Sequence, residues 1–196
     1  MTIAAIWAQD LGGGIGYQNR LPWRHKPDVE HFWKTIGTDT VIIGSHTFGK
    51  NENLFRRYRD YGHYIVLTRY SGGAVTFRRN SQCSVHFASN IGSALNFVEE
   101  LEQNAWVVGG AKTFALFASV IDVFVMTKIY ARFTCDSFIP WGLTPPNAKP
   151  WDFYDLEPNK EGVEAKVGIY VTNRIPEKQA EFVVNNVLRR DLEWEL

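Results

Sequence analysis

Apolar positions fall into short runs, broken by glycine-rich or polar stretches and by a few amphipathic segments. IAAIWA (3–8) is an unbroken apolar run that ends in the loop LGGGIGYQN, and such runs suit strands covered on both faces. TVIIG (40–44), HYIVLTR (63–69), SVHFA (84–88) and AWVVGG (105–110) read as further buried strands. VFVMTKIYARF (123–133) reads as a strand rich in β-branched and aromatic residues. DVEHFWKTI (28–36) follows a proline, places Val29, Phe32, Trp33 and Ile36 at helical spacing, and stops at Gly37. SALNFVEELEQ (93–103), with Ser93 as its cap, and AKTFALFASVI (111–121) are two more predicted helices. Strands alternating with helices predict an α/β fold around a largely parallel sheet.

The last third is less regular. Residues 140–150 form a proline-rich loop, WDFYDLE (151–157) reads as a strand, and VEAKVGIYVTN (163–173) as a strand or hairpin. The apolar pattern of EKQAEFVVNNVLRRDLEW (177–194) matches neither period, so a helix and a final strand both stay open. No internal repeat, low-complexity tract or linker interrupts the chain, and 196 residues suffice for one core but would be cramped for two; one domain over 1–196 is expected.

Composition narrows the function classes. Apolar residues make up 45% of the chain and charged residues 21%, as in soluble globular proteins. The 21 basic and 21 acidic residues cancel and are mixed along the chain, with only short clusters such as RRYR (56–59), which argues against a nucleic-acid partner. A small anionic ligand needs only a few local cations and stays possible. Cys83 and Cys135 are far apart and lack metal-ligand spacing, so reduced thiols in a cytoplasmic protein are expected. MTIAAIWAQD has no basic region and is too short for a signal peptide or membrane span.

Parallel sheets of this kind bind ligands at the carboxyl ends of their strands. Gly12, Gly13, Gly14 and Gly16 follow the first strand; Gly44, Ser45, His46 and Thr47 follow the second; Thr68 and Arg69 follow the third. Gly109 and Gly110 join a strand to a helix, where backbone N–H groups can approach a phosphate. GGGIG is not a dinucleotide fingerprint, because no helix is predicted after it. Asp28 opens a predicted helix, and an acid there is favoured by capping and by the helix dipole. Asp28 and Phe32 also share a helix face, and an acid beside an aromatic wall can hold a planar, amidine-like ring.

In order along the chain, IWAQDLGGGIGYQNRLPW, the acid five residues after that Trp, Phe32, VIIGSHTF, IVLTR, VVGGAKTF, MTKI and DSFIP resemble the dihydrofolate reductase family over roughly residues 2–140. The resemblance implies a three-layer sandwich: a mainly parallel, mixed eight-stranded sheet, about four helices, and an antiparallel C-terminal edge. It implies NADPH as cofactor, 7,8-dihydrofolate as substrate, a place in one-carbon metabolism, and antifolate diaminopyrimidines as inhibitors. Ile6, Trp7, Ala8, Asp28, Val29, Phe32, Val108 and Thr127 would line the pterin site, with Trp23 and Asp28 as its catalytic residues. Ala8, Ile15 and Gly16 would meet the nicotinamide. Gly44, Ser45, His46 and Thr47, with Leu67, Thr68 and Arg69, would hold the adenosine phosphates. Gly109, Gly110, Ala111, Lys112 and Thr113 would hold the pyrophosphate, with a cis Gly109–Gly110 bond, and Val108 would also touch the cofactor. Asp28 would orient the pterin and favour protonation at N5, water would be the last proton carrier, and the glycine loop would close over the site.

The chain departs from the family pattern in places. Ser45 stands where a basic residue is common, and Phe114 where a tyrosine is frequent. The arginine that clasps the substrate's carboxylate tail falls in register at Gly62 or His63, leaving Arg57 or Arg59 as its replacement. The segment from 158 onward is longer than usual. EFVVNNVLRR resembles the closing strand, which would make 158–178 an insertion; the alternative is a closing strand at 167–173 and an extra helix after it. A monomer is expected. Two other readings compete: a reductase of a ribosylaminopyrimidine, against which Trp23 and Asp28 count, and a folate- or nucleotide-binding module without turnover.

Overall fold

A computed structural model describes residues 1–58, 62–69, 77–79, 83–143 and 148–192. The elements run β1 (Ile3–Gln9), β2 (Gly14–Gly16), α1 (Lys26–Ile36), β3 (Thr40–Gly44), α2 (Ser45–Tyr58), β4 (Gly62–Leu67), β5 (Phe77–Arg79), β6 (Cys83–Ala88), α3 (Ile91–Glu100), β7 (Ala105–Val107), α4 (Ala111–Phe117), β8 (Val123–Ile129), β9 (Ser137–Phe138), β10 (Lys149–Leu156), β11 (Ala165–Val171) and α5 (Glu177–Leu192). The main sheet has the order β10-β11-β8-β1-β7-β3-β4-β6-β5. The pairs from β8 to β6 are parallel, and β10, β11 and β5 are antiparallel to their neighbours. This is the expected mixed, mainly parallel sheet, with the three-residue β5 as a ninth strand at its edge.

The apolar runs become central strands because both sheet faces are covered. Along β1, Ala4 and Ile6 enter one core while Ile3, Ala5 and Trp7 enter the other. The same alternation divides Val41 and Ile43 from Ile42, and Val123 and Val125 from Phe124. The first core is closed by Ile36 of α1 and by Ala180, Val183 and Val184 of α5. The second is closed by Ala94 and Val98 of α3 and by Phe114 and Phe117 of α4. Three layers result.

Several boundaries differ from the sequence reading. Asn90, not Ser93, caps α3: its side chain accepts from Ser93 N at 2.9 Å, and Ser93 Oγ accepts from Asn90 N, a reciprocal capping box. The helix expected over 111–121 stops at Phe117, and the strand expected over 123–133 stops at Ile129. The glycine loop contains β2, which pairs with β9. The C-terminal segment corrects the larger expectation. The closing strand is β11, inserted between β8 and β10, and residues 158–178 are not an insertion. β11 is paired on both edges, and 177–192 folds as α5 against α1, burying Ala180, Val183 and Val184 in the first core. The described residues form five helices where about four were expected.

Candidate active site

The site begins with how α1 starts. His25, not Asp28, is its N-cap: His25 Nδ1 accepts from Asp28 N at 3.2 Å. Nε2 therefore carries the ring proton and donates to Val163 O at 3.1 Å, tying the turn after β10 to the helix start. Pro27 sits in the first turn, where its missing N–H costs nothing. Asp28 is thus released from capping. It turns inward, only 5% exposed, into a cavity of about 300 Å³ at the carboxyl ends of the central strands.

All eight residues expected for the pterin pocket, Ile6, Trp7, Ala8, Asp28, Val29, Phe32, Val108 and Thr127, lie on this cavity's wall. Trp23 does not. It is buried behind the wall with Ile129 and Ala165, its ring 5.5 Å from that of Phe133 and its indole N–H on the side of Asp28. Burial is the main influence on Asp28 and pushes its carboxyl above the ordinary carboxylate range. The nearby His31, the Thr127 hydroxyl, His25 and the Trp23 indole pull the other way without reversing it.

The glycine loop is fixed at both ends. Asp10, itself buried, accepts from Gly12 N at 2.7 Å, Gly14 N at 2.8 Å and Phe133 N at 2.9 Å. Burial alone would raise the Asp10 carboxyl, but these three N–H groups and Arg132 hold it below the usual range. A Cβ on Gly14 would overlap the Cys135 side chain, so the loop needs glycine to lie this close to the segment after β8. Farther along, Tyr17 and Arg20 exchange backbone hydrogen bonds around Gln18 and Asn19, both at positive φ. Gln18 N donates to Asp136 Oδ2 at 2.8 Å, and Asp136 N to Gly16 O at 3.0 Å. These bonds lay Ile15 and Gly16 against the cavity.

The expected cofactor residues separate into two groups. Ala8, Ile15, Gly16, Thr47, Val108 and Gly110 line the cavity. Gly44, Ser45, His46, Leu67, Thr68, Arg69, Gly109, Ala111, Lys112 and Thr113 lie outside its wall, at the carboxyl ends of β3, β4 and β7 and the starts of α2 and α4. Gly44 N donates to Gly109 O at 2.9 Å, and Gly110 N to Thr47 Oγ1 at 3.2 Å. The Gly109–Gly110 bond is cis, as expected. A Cβ on Gly44 would come within 2.8 Å of Thr113 Oγ1, and one on Gly109 within 3.0 Å of the Phe114 ring. Only glycine leaves this edge as bare backbone, open to a flat or phosphorylated ligand. Ser45, His46, Arg69 and Lys112 are exposed around it. The chemistry of this edge fits a dinucleotide.

Sequence reasoning missed part of the wall: Asn19, Arg20, Leu21, His31, Trp33, Ile43, Asn51, Asp136 and Ser137, with Phe114 noted only as a departure. Helical spacing could have found His31, one turn after Asp28. The side chains of Arg57 and Arg59, the candidates for the tail clasp, lie outside the described residues, while Gly62 and His63 open β4.

A backbone-lined edge beside a deep apolar cavity with one buried acid defines an α/β enzyme for a nucleotide cofactor and a small heterocycle. The family model for dihydrofolate reductase matches residues 2–171, and the chain belongs to that family, whose members are NADPH-dependent oxidoreductases. It is 25% identical over 151 residues to the dihydrofolate reductase of Ureaplasma parvum serovar 3, covering 76% of this chain and 89% of the relative. It is 25% identical over 181 residues to that of Drosophila melanogaster, covering 85% and 92%. The structure of dihydrofolate reductase from Enterococcus faecalis complexed with NADP(H) and RAB-propyl matches with a TM-score of 0.71 and 24% identity, over 88% of this chain and 96% of that one; this match speaks to the fold. The family match ends at β11, so α5 lies beyond it.

Proposed function

We propose that the cavity binds the pterin of 7,8-dihydrofolate and that its residues direct reduction to tetrahydrofolate. The observation that carries this reading is the buried Asp28 among apolar and aromatic wall residues. Its carboxylate accepts from the 2-amino group and N3, which orients the ring and favours positive charge at N5. Phe32, Val29 and Ile6 pack on the ring and exclude water. N5 takes its proton from a water, and Asp28 makes that protonation favourable through the ring. Gly44–Thr47, Leu67–Arg69 and Gly109–Thr113 hold NADPH, which supplies the hydride for C6 when bound. Ala8, Ile15 and Gly16 face its reactive end.

The continuous sheet and the two cores that share it support a single domain over 1–196. The reading extends to a monomer acting in the cytoplasm on a small molecule and open to antifolate diaminopyrimidines; no described helix is long and apolar enough to cross a membrane. The test is NADPH oxidation with dihydrofolate, with NADH in parallel. Rapid, antifolate-sensitive loss with NADPH is expected; tight NADPH binding without turnover would redirect the search to another pterin or pyrimidine. Asp136→Ala should lower turnover about tenfold, since one charge-assisted bond of roughly 1.5 kcal/mol holds Gln18 and the closed loop. Single-turnover rates check this, and an unchanged rate would mean that the loop closes without Asp136.

A further inference from the structure

Asp28 is not the only titratable group in the pocket. His31 stands one turn later on α1, is 2% exposed and lines the same cavity. Its Nδ1 lies 3.3 Å from Thr35 Oγ1 and 3.4 Å from Tyr154 Oη, and the Tyr154 ring meets the imidazole edge-on with centroids 5.7 Å apart. Positions 28, 31 and 35 share one helix face, so α1 alone aligns acid, imidazole and hydroxyl. β10 adds the phenol.

A buried histidine on an apolar face is usually a neutral, satisfied core residue. This one has an environment that suits both of its charge states. A hydroxyl can donate to the neutral imidazole's Nδ1 and can accept from the imidazolium's Nδ1–H. Thr35 and Tyr154 each set a hydroxyl of that kind beside Nδ1. Asp28 on α1 and the Tyr154 phenol on β10 are titratable groups beside it, His25 acts on the same Asp28 from the cap, and Arg20 and Asp136 lie on the same cavity wall.

We propose that His31 is a positioning residue for the proton: its charge sets how readily the Asp28–pterin unit becomes protonated. The proposal rests on the pterin assignment above. An imidazolium beside Asp28 favours the carboxylate and opposes a second positive charge at N5. Removing it therefore raises the proton affinity of the site.

The test is the pH profile of single-turnover hydride transfer for the parent, His31→Gln and His31→Phe. Gln keeps a polar, uncharged group and Phe keeps a ring. The midpoint at which the rate falls with rising pH should move upward by about one unit in both variants, making them roughly tenfold faster above the parent's midpoint. A structural role alone would scale the rate equally at every pH. An unmoved midpoint, a downward move, or opposite moves in the two variants overturns the proposal; if His31→Phe does not fold, His31→Gln decides. The parent separates the two readings. A parent active on dihydrofolate with unmoved variant midpoints sinks only the role of His31, and a parent inactive on dihydrofolate sinks the pterin assignment and this inference with it.

Discussion

Asp28→Asn should lower turnover at neutral pH by about two to four orders of magnitude, the range in which a positioned proton-directing group acts. The substitution keeps the shape and removes the charge. An amide pointed at two N–H donors can accept from only one of them and sets its own N–H₂ against the other. It also gives up the negative charge that makes positive charge at N5 tolerable. NADPH affinity should stay within about twofold, because none of the residues proposed to hold it sits on α1. Some rate should return in acid, where solvent can protonate the pterin directly. Stopped-flow transfer rates and cofactor titration check both halves, and a full rate at pH 7 would show that the cavity does not hold the pterin as assigned.

The same variant carries a stability signature of opposite sign. Burial raises the Asp28 carboxyl in the folded state above its unfolded value. Such a group favours folding fully only below the unfolded value, about pH 3.9, and loses that contribution as pH rises through the folded one. The parent therefore loses stability as pH rises above that value, and Asp28→Asn has no such dependence. The variant should melt a few degrees higher at pH 7, and the gap should narrow toward about pH 4. A more stable but nearly inactive protein would mark Asp28 as retained for chemistry.

The central strands were legible because continuous apolar runs have one economical place in an α/β fold, and each run found it. The pocket wall was legible through the family resemblance, and all eight residues expected for the pterin converge on one cavity. What escaped notice depended on partners distant in sequence. Asp28 looked like a cap because an acid near a helix start usually is one. Only the fold shows His25 taking that bond while Val163 engages its other nitrogen. Asp136 had no local signal for holding Gln18, 118 residues away. The C-terminal segment misled through its local letters. EFVVNNV looks extended, yet from Ala180 the apolar positions 180, 183, 184, 187 and 188 follow helical spacing. Counting Phe182 and Trp194 with them blurred the period.

That helix carries the second large effect. A chain ending after Thr172 should lose on the order of 5 kcal/mol, because Val183 and Val184 are buried side chains worth roughly 1.5–3 kcal/mol each, and their removal also exposes apolar surface of α1. Against a total of about 5–15 kcal/mol, this is the difference between a folded protein and a marginal one. The melting temperature should fall by about 10–20 °C, or the truncated chain should fail to accumulate in soluble form. Val184→Asp, which buries a charge at the same contact, should act in the same direction without shortening the chain. Because α5 backs the helix that carries Asp28, His31 and Phe32, any folded remnant should also bind dihydrofolate more weakly than it binds NADPH. Thermal melts and the two binding titrations decide the matter. A truncated chain that melts within a degree or two of the full one would make α5 an appendage, and the first core would have to be closed by β10, β11 and α1 alone.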